Sequence, residues 1–244
     1  LQEAEVSYRS AIEINPNYAE AYSNLGIILK DLGKLQEAEL STRKAIEIKP
    51  NYAEAHANLG SILTNQKRLQ EAEVSYRSAI EINPNYAEAY SNLGTILKVL
   101  GKSKEAELST CKAIEIKPDF AEAHANLGSI LTSQKRLQEA ELSTRKAIEL
   151  NSNYVKAYLN LGEIYRKQKK LQKAELTFLR AIEINPKFGQ SYFQLSKLYS
   201  KQNEYIKANK QINLAIKYDP NNHLIQGELT RLKLLLSMYK EGKI

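Results

Sequence analysis

The sequence lacks the features that mark disulfide-linked, membrane-spanning and catalytic proteins. It has one cysteine, Cys111, so no disulfide can form within the chain. No apolar run approaches the ~18 residues of a membrane-spanning helix, and no signal peptide is visible, so we expect a cytoplasmic location. The patterns G-x-G-x-x-G, G-x-x-x-x-G-K and G-x-S-x-G are absent. The usual signs of dinucleotide binding, phosphate binding and a hydrolase nucleophile are therefore missing.

In place of such motifs the sequence has a 34-residue period that runs from one end to the other. Numbered from Ala53 as position 1, the recurring residues of one copy are Leu59 (position 7), Gly60 (8), Ala72 (20), Ala79 (27) and Pro84 (32). This pattern resembles the signature of the tetratricopeptide repeat (TPR) family. The resemblance covers the whole chain. It implies an all-α fold, a right-handed superhelical solenoid of helix–turn–helix units in which each unit packs on its neighbours.

The period divides the chain into a half repeat, six full repeats and a C-terminal segment. We predict helix B alone in 1–18, full repeats at 19–52, 53–86, 87–120, 121–154, 155–188 and 189–222, and a capping helix in 223–244. Because Leu1 falls at position 17 of a repeat, we expect the natural N-terminus to lie upstream. Residues 1–68 and 69–136 differ at only 8 positions, which indicates a recent duplication of a two-repeat unit.

Each repeat is predicted to hold two amphipathic helices. At 100° per residue, positions 3, 4, 7, 8, 10, 11 and 14 share one apolar arc, and positions 2, 5, 6, 9, 12 and 13 form the opposite arc. This gives helix A about 14 residues, and positions 17 to 30 give helix B. Asn17 with Glu20 predicts a capping box at the start of helix A. Proline at position 32, as in Pro16, is expected to end helix B.

The formal charge of +7 is unevenly placed, since residues 1–154 sum to −3 and residues 155–244 to +10. A basic end can attract an acidic partner, RNA or a membrane surface, or it can be a set of solvated lysines. The C-terminal segment fits a capping helix better than a membrane-surface helix, because its lysines are not segregated to one face.

Neither a catalytic group nor a metal site is evident, and we expect no enzyme activity and no cofactor. His56 and His124 occupy position 4, where other copies carry tyrosine, so we interpret them as packing residues in a half-buried aromatic slot. No Cys or carboxylate pair stands near them at zinc spacing. Cys111 replaces an arginine at position 25 and is interpreted as a surface residue.

The TPR resemblance implies that the polar arcs of the A helices line a concave surface. Position 6 of that arc forms a row of carboxamides, Asn24, Asn58, Asn92, Asn126, Asn160 and Gln194. The row is similar to the asparagine ladder in the TPR arm of O-linked N-acetylglucosamine transferase, and the repeats also resemble those of bacterial TPR-array proteins. A carboxamide offers a donor and an acceptor, so it can pair with a peptide group of an extended ligand.

Basic residues on the same arc are expected to favour ligands with an acidic end. They are Lys30, Lys98 and Arg166 at position 12, Lys167 and Lys201 at position 13, and Lys197 at position 9. The carboxylate clamp of chaperone-binding TPR domains is not expected, because position 5 has no lysine and position 6 no arginine.

We therefore predict a protein- or peptide-binding scaffold that holds an extended segment in its groove. The main alternative is the substrate-recruiting arm of a larger glycosyltransferase-like enzyme whose catalytic domain lies outside this sequence. Self-association through the half repeat at 1–18 is a third hypothesis. RNA binding by the basic end is a fourth, but the chain lacks the base-reading side chains of helical-repeat RNA binders. We expect neither a membrane nor a small-molecule substrate as partner.

Overall fold

The computed structural model describes the backbone of residues 1–240 and the side chains of residues 1–239. The last part of the predicted capping segment, 241–244, lies outside the described residues. The described chain contains helices and no strand. The helices are α1 (Gln2–Ile14), α2 (Ala19–Asp31), α3 (Leu35–Ile48), α4 (Ala53–Asn65), α5 (Leu69–Ile82), α6 (Ala87–Val99), α7 (Ser103–Ile116), α8 (Ala121–Ser133), α9 (Leu137–Leu150), α10 (Val155–Lys167), α11 (Leu171–Ile184), α12 (Gly189–Lys201), α13 (Tyr205–Tyr218) and α14 (His223–Lys240).

These helices pack in consecutive pairs, such as α2 with α3 and α12 with α13. Helix B of one repeat also contacts helix A of the next, as α3 contacts α4 and α11 contacts α12. The all-α repeat fold is thereby confirmed. Helix B spans positions 17 to 30 as predicted, whereas helix A ends at position 13, one residue early. By its contacts the chain divides into two compact units, Leu1–Asn126 and Leu127–Ile244, called here the N-terminal and C-terminal units. None of the helices in 1–240 combines the length and hydropathy of a membrane span.

Small residues let the two helices of a repeat approach closely. Ala38 and Ala45 on α3 are fully buried. A Cβ added to Gly26 would lie 3.2 Å from the carbonyl oxygen of Ala38 and would collide with Thr42. Position 8 therefore needs glycine wherever helix B presents a threonine at position 24.

The connection between helices A and B requires a left-handed residue at position 15. The backbone φ there is positive in all six repeats, at Gly33 (79°), Lys67 (63°), Gly101 (79°), Lys135 (64°), Lys169 (62°) and Asn203 (63°). Glycine adopts this conformation without steric cost, but a lysine is strained in it.

The predicted capping box is wrong. Helix α2 begins after Tyr18, and no side chain caps it. Instead the backbone N–H of Asn17 donates to the Oδ1 atom of Asn15 at 3.1 Å, so the asparagine before the proline shapes the turn between repeats. The turn does not depend on the proline, because α9 ends at Leu150 although Ser152 stands at position 32.

The predicted polar arc also needs correction at position 5. Ser23, Ala57 and Ser91 are buried there, and so is Phe193 in the C-terminal unit. The reason is that the A helices of consecutive repeats contact each other: α2 contacts α4, and α4 contacts α6. Position 5 lies in that contact, which the periodicity of a single helix does not reveal.

Helix α14 closes the C-terminal unit. Its first backbone N–H groups donate to Asn222 Oδ1, with Leu224 N at 3.1 Å and Ile225 N at 3.4 Å. Ile225 and Leu232 are fully buried in the core of that unit. Leu224, by contrast, is 75% exposed.

Candidate functional site

The carboxamides of the N-terminal unit lie half-buried, one on each A helix from α2 to α8. Asn58 Nδ2 donates to Ser23 Oγ at 3.0 Å, and Asn126 Nδ2 donates to Ser91 Oγ at 2.9 Å. The carboxamides of Asn24 and Asn92 have no hydrogen-bond partner in the described part of the chain. Within the N-terminal unit the four carboxamides thus alternate between tethered and unpaired groups, which the sequence analysis did not anticipate.

The C-terminal unit continues the sequence pattern with Asn160 and Gln194, both half-buried. Gln194 Oε1 is buried and accepts no hydrogen bond from the described residues. A buried acceptor without a donor is unfavourable, so the Oε1 atom of Gln194 destabilises the fold at this position.

The basic residues of the N-terminal unit are partly engaged with the protein itself. Lys30 Nζ lies 3.4 Å from Ser61 Oγ and 3.5 Å from Asp31 Oδ1. Position 12 of one repeat therefore meets position 9 of the next. Lys98, at the equivalent place two repeats later, is also half-buried.

In the C-terminal unit the predicted cations differ in availability. Arg166 makes a bidentate pair with Glu163 at 2.5 and 2.7 Å, and its side chain is 12% exposed. Its charge is therefore largely neutralised. Lys197 Nζ stands 5.3 Å from the centre of the Phe193 ring. Lys167 is exposed to solvent.

A cleft of about 480 Å³ in the C-terminal unit is lined by Lys197, Lys201 and Arg231, among other residues. Arg231 donates to Ser200 Oγ at 2.7 Å and pairs with Glu228 at 2.6 Å. Neither Lys197 nor Lys201 has a carboxylate partner in the described residues. The cleft therefore keeps an excess of positive charge.

The aromatic slot at position 4 has a structural role. The Nε2 atoms of His56 and His124 lie 2.9 Å from the carbonyl oxygens of Pro50 and Pro118. The same bond is made by a phenol in later repeats, for example Tyr192 OH to Pro186 O at 2.9 Å. Both histidines are half-buried, and their ring nitrogen ties helix A to the preceding turn. Residues 1–240 contain no group of three or more His, Cys, Asp or Glu that could hold a metal ion.

Ion pairs between repeats were missed by the sequence analysis. Glutamate at position 21 of one repeat pairs with a base at position 16 of the next, as in Glu73 with Lys102 at 2.8 Å. Burial alone would raise the pKa of Glu73, but hydrogen bonds from Lys102 and Arg77 outweigh it and hold the pKa below its usual value. The same pairing joins Glu39 to Arg68 at 2.6 Å. The recurrence of opposite charges 29 residues apart was the signal that could have revealed it.

A row of exposed apolar residues on the B helices was also missed. In the N-terminal unit it comprises Val6, Leu40, Val74 and Leu108 at position 22, which are 65–71% exposed. Cys111, on the same helix as Leu108, is exposed as predicted.

Sequence comparison identifies the repeats. Family models described as tetratricopeptide repeat match residues 19–52, 53–86, 155–188, 75–107, 177–209 and 121–154, and a model described as TPR repeat matches 1–33. None of the curated proteins matches the chain.

Solved structures show the same fold. YrrB, a TPR protein with an unusual peptide-binding site, is 26% identical over 73% of this chain and 92% of its own, with a TM-score of 0.55. A chain of the APC/C hetero-tetramer Cut9–Hcn1 gives a TM-score of 0.83 at 16% sequence identity. The match covers 95% of this protein's chain but only 46% of the Cut9–Hcn1 chain. A TPR protein from Parabacteroides merdae gives 0.81 at 21% identity, over 94% and 91% of the two chains. The chain belongs to the tetratricopeptide repeat family, whose repeats build scaffolds for protein–protein interaction.

Proposed function

We propose that the N-terminal unit binds an extended peptide segment along its row of asparagines. The observation that carries this proposal is the carboxamide of Asn92, which is half-buried on a helix A and has no hydrogen-bond partner in the described residues. Asparagine favours helices little, so propensity does not account for its place in mid-helix. YrrB, which is similar to this chain, is itself described as having a peptide-binding site.

The geometry of packed helices suits an extended ligand. Neighbouring packed helices lie about 8–10 Å apart. An extended peptide advances about 3.3 Å per residue, so one asparagine would serve about every third ligand residue. A carboxamide pairs with the N–H and C=O groups that all peptides share, so binding along this row would depend little on ligand sequence.

We infer separately that the cleft of the C-terminal unit prefers acidic ligands. Lys197 and Lys201 lie one helical turn apart on α12, where like charges repel each other. A ligand carboxylate would relieve that repulsion. Because Lys201 is exposed and Lys197 is half-buried, the attraction would weaken as salt is added.

The test is retention of a fluorescent pool of randomised ten-residue peptides by the immobilised chain. A variant with alanine in place of Asn24, Asn58, Asn92, Asn126 and Asn160 is expected to lose at least tenfold in retention, because several hydrogen bonds worth about 1 kcal/mol each are removed. A matched control carries Leu40→Ser and Leu108→Ser on the B helices and should retain the pool. Circular dichroism establishes that all three proteins are helical. Equal retention by the alanine variant, or none by the wild type, overturns the proposal.

A further inference from the structure

Two buried serines distinguish alternate members of the asparagine row. Ser23 and Ser91 are 0% and 1% exposed, and each accepts a hydrogen bond from the asparagine of the next repeat. Ala57 occupies the same position between them, so Asn92 finds no hydroxyl in front of it. The alternation follows the duplicated two-repeat unit.

A carboxamide tethered through its nitrogen has a fixed orientation. In Asn58 and Asn126 the Nδ2 group points to the serine, which leaves Oδ1 as the group that a ligand can reach. No described residue donates to either Oδ1, and neither is among the fully buried atoms that lack a partner. Asn24 and Asn92 retain both Nδ2 and Oδ1 for a ligand.

We propose that Ser23 and Ser91 are positioning residues that give the row two kinds of peptide contact. Asn58 and Asn126 accept a hydrogen bond from a backbone N–H of the ligand, whereas Asn24 and Asn92 pair with both the N–H and the C=O. The proposal rests on the proposed peptide-binding function. Contacts of one kind recur every two repeats, or about 16–20 Å, which corresponds to about five or six extended ligand residues.

This arrangement defines the ligand chemically. A residue that faces Asn58 or Asn126 must carry a backbone N–H, so proline and N-methylated residues are excluded there. Pre-oriented acceptors also bind more tightly, because their rotamer is fixed before the ligand arrives.

Nuclear magnetic resonance tests the tether without any ligand. In ¹⁵N-labelled protein the side-chain amides of Asn58 and Asn126 should differ from those of Asn24 and Asn92 in proton shift and in temperature dependence. Ser23→Ala and Ser91→Ala should abolish the difference. The reverse variant, Ala57→Ser, should give Asn92 the properties of a tethered amide. Four indistinguishable amides in the wild type overturn the proposal.

Peptide retention then tests the positioning role. The double variant Ser23→Ala/Ser91→Ala should retain the randomised ten-residue pool about 3- to 10-fold less than the wild type, the range expected for losing the orientation of two hydrogen bonds. It should still retain more than the variant that lacks the asparagines. A second pool, N-methylated at alternate backbone nitrogens, should be retained poorly by the wild type. Circular dichroism and the resonance of Asn24 report whether the double variant is folded.

The outcomes separate this proposal from the proposed function. Suppose the resonances show that the double variant has lost the tether, but it retains as much of the first peptide pool as the wild type. The serines then do not position the asparagine row, while the proposal of peptide binding stands. Equal retention of both pools by the wild type also overturns the N–H requirement. If the wild type retains neither pool, both proposals fail, whatever the resonances show.

Discussion

Two glutamates at position 21 are held by different chemistry, Glu73 in the N-terminal unit and Glu175 in the C-terminal unit. In the N-terminal unit, Glu73 is paired with the ammonium of Lys102 at 2.8 Å. In the C-terminal unit, Glu175 accepts a hydrogen bond from the hydroxyl of Tyr199 at 2.6 Å. The tyrosine stands at position 11, where the N-terminal unit has a buried leucine such as Leu97.

The difference shows that one repeat geometry accepts an ionic or a neutral link between neighbours. The ionic link leaves Lys102 44% exposed, so salt and water weaken it. The tyrosine link buries a large ring at the same time, since Tyr199 is 7% exposed. We therefore expect the C-terminal link to contribute more to stability and to depend less on ionic strength.

The largest effect is expected for Tyr199→Ala, which should cost about 3–5 kcal/mol of local stability because it removes a buried ring. Tyr199→Phe keeps the ring and should cost about 1.5–3 kcal/mol, since Glu175 loses a charge-assisted hydrogen bond. Hydrogen–deuterium exchange of the amides in α11 and α12 measures both values. Equal losses in the two variants would contradict the separate roles of ring and hydroxyl.

A smaller loss, about 1–2 kcal/mol, is expected for Glu73→Gln, because Lys102 and Arg77 lose their carboxylate. A double-mutant cycle with Lys102→Met isolates the pair, read by urea unfolding. The coupling energy should fall between 0.05 and 1 M sodium chloride. In the matching double-mutant cycle, the coupling energy of Glu175 and Tyr199 should change little over the same range of sodium chloride. An equal salt dependence of the two coupling energies would contradict the distinction between an ionic and a neutral link.

The two links should also fail at opposite ends of the pH range. The pKa of Glu73 is lowered in the fold, so its contribution is complete above the unfolded value of about 4.3 and disappears as pH falls through the folded pKa. Burial and the bond to Glu175 raise the pKa of Tyr199, so its contribution is complete below about pH 10 and is lost as pH rises through the folded pKa.

The measurement compares each variant with the wild type across pH. The stability gap between Glu73→Gln and the wild type should shrink as pH falls below the unfolded pKa of about 4.3 and through the lowered folded pKa. The gap between Tyr199→Phe and the wild type should narrow above pH 10. A Glu73 gap that does not change over the whole acid range in which the protein stays folded would show that the carboxylate charge is not its source.

The smallest effect on the free energy of unfolding is expected at position 15. Gly33 occupies this position in one repeat of the N-terminal unit, and Lys169 occupies it in one repeat of the C-terminal unit. Both have positive φ. Lys169→Gly should stabilise the C-terminal unit by about 0.5–1 kcal/mol, because relief of the left-handed strain exceeds the added chain entropy of glycine. Gly33→Lys should destabilise the N-terminal unit by a similar amount. Urea midpoints give both values, and the same sign for the two exchanges would refute the steric explanation.

Features that depend on residues close in sequence were predicted well. The 34-residue period and the apolar spacing fixed the bounds of the B helices, and the row of asparagines was visible as a pattern. The capping box failed because two local hydrogen-bonding schemes compete in the same turn. Asn15, which precedes the proline, binds the backbone N–H of Asn17, and no side chain caps α2. The sequence favours neither scheme clearly.

By itself, the sequence determined the TPR family, the all-α repeat and the positions of the polar residues, because these follow from helical periodicity repeated along the chain. Only the tertiary structure decided which of those residues are already paired. It ties Asn58 to Ser23, 35 residues away, and Glu73 to Lys102, 29 residues away. Such bonds depend on the distance between packed helices, which periodicity within one helix does not contain. Packing places position 6 of one helix A against position 5 of the preceding one, so Asn92, which faces Ala57 and no hydroxyl, stays unpaired.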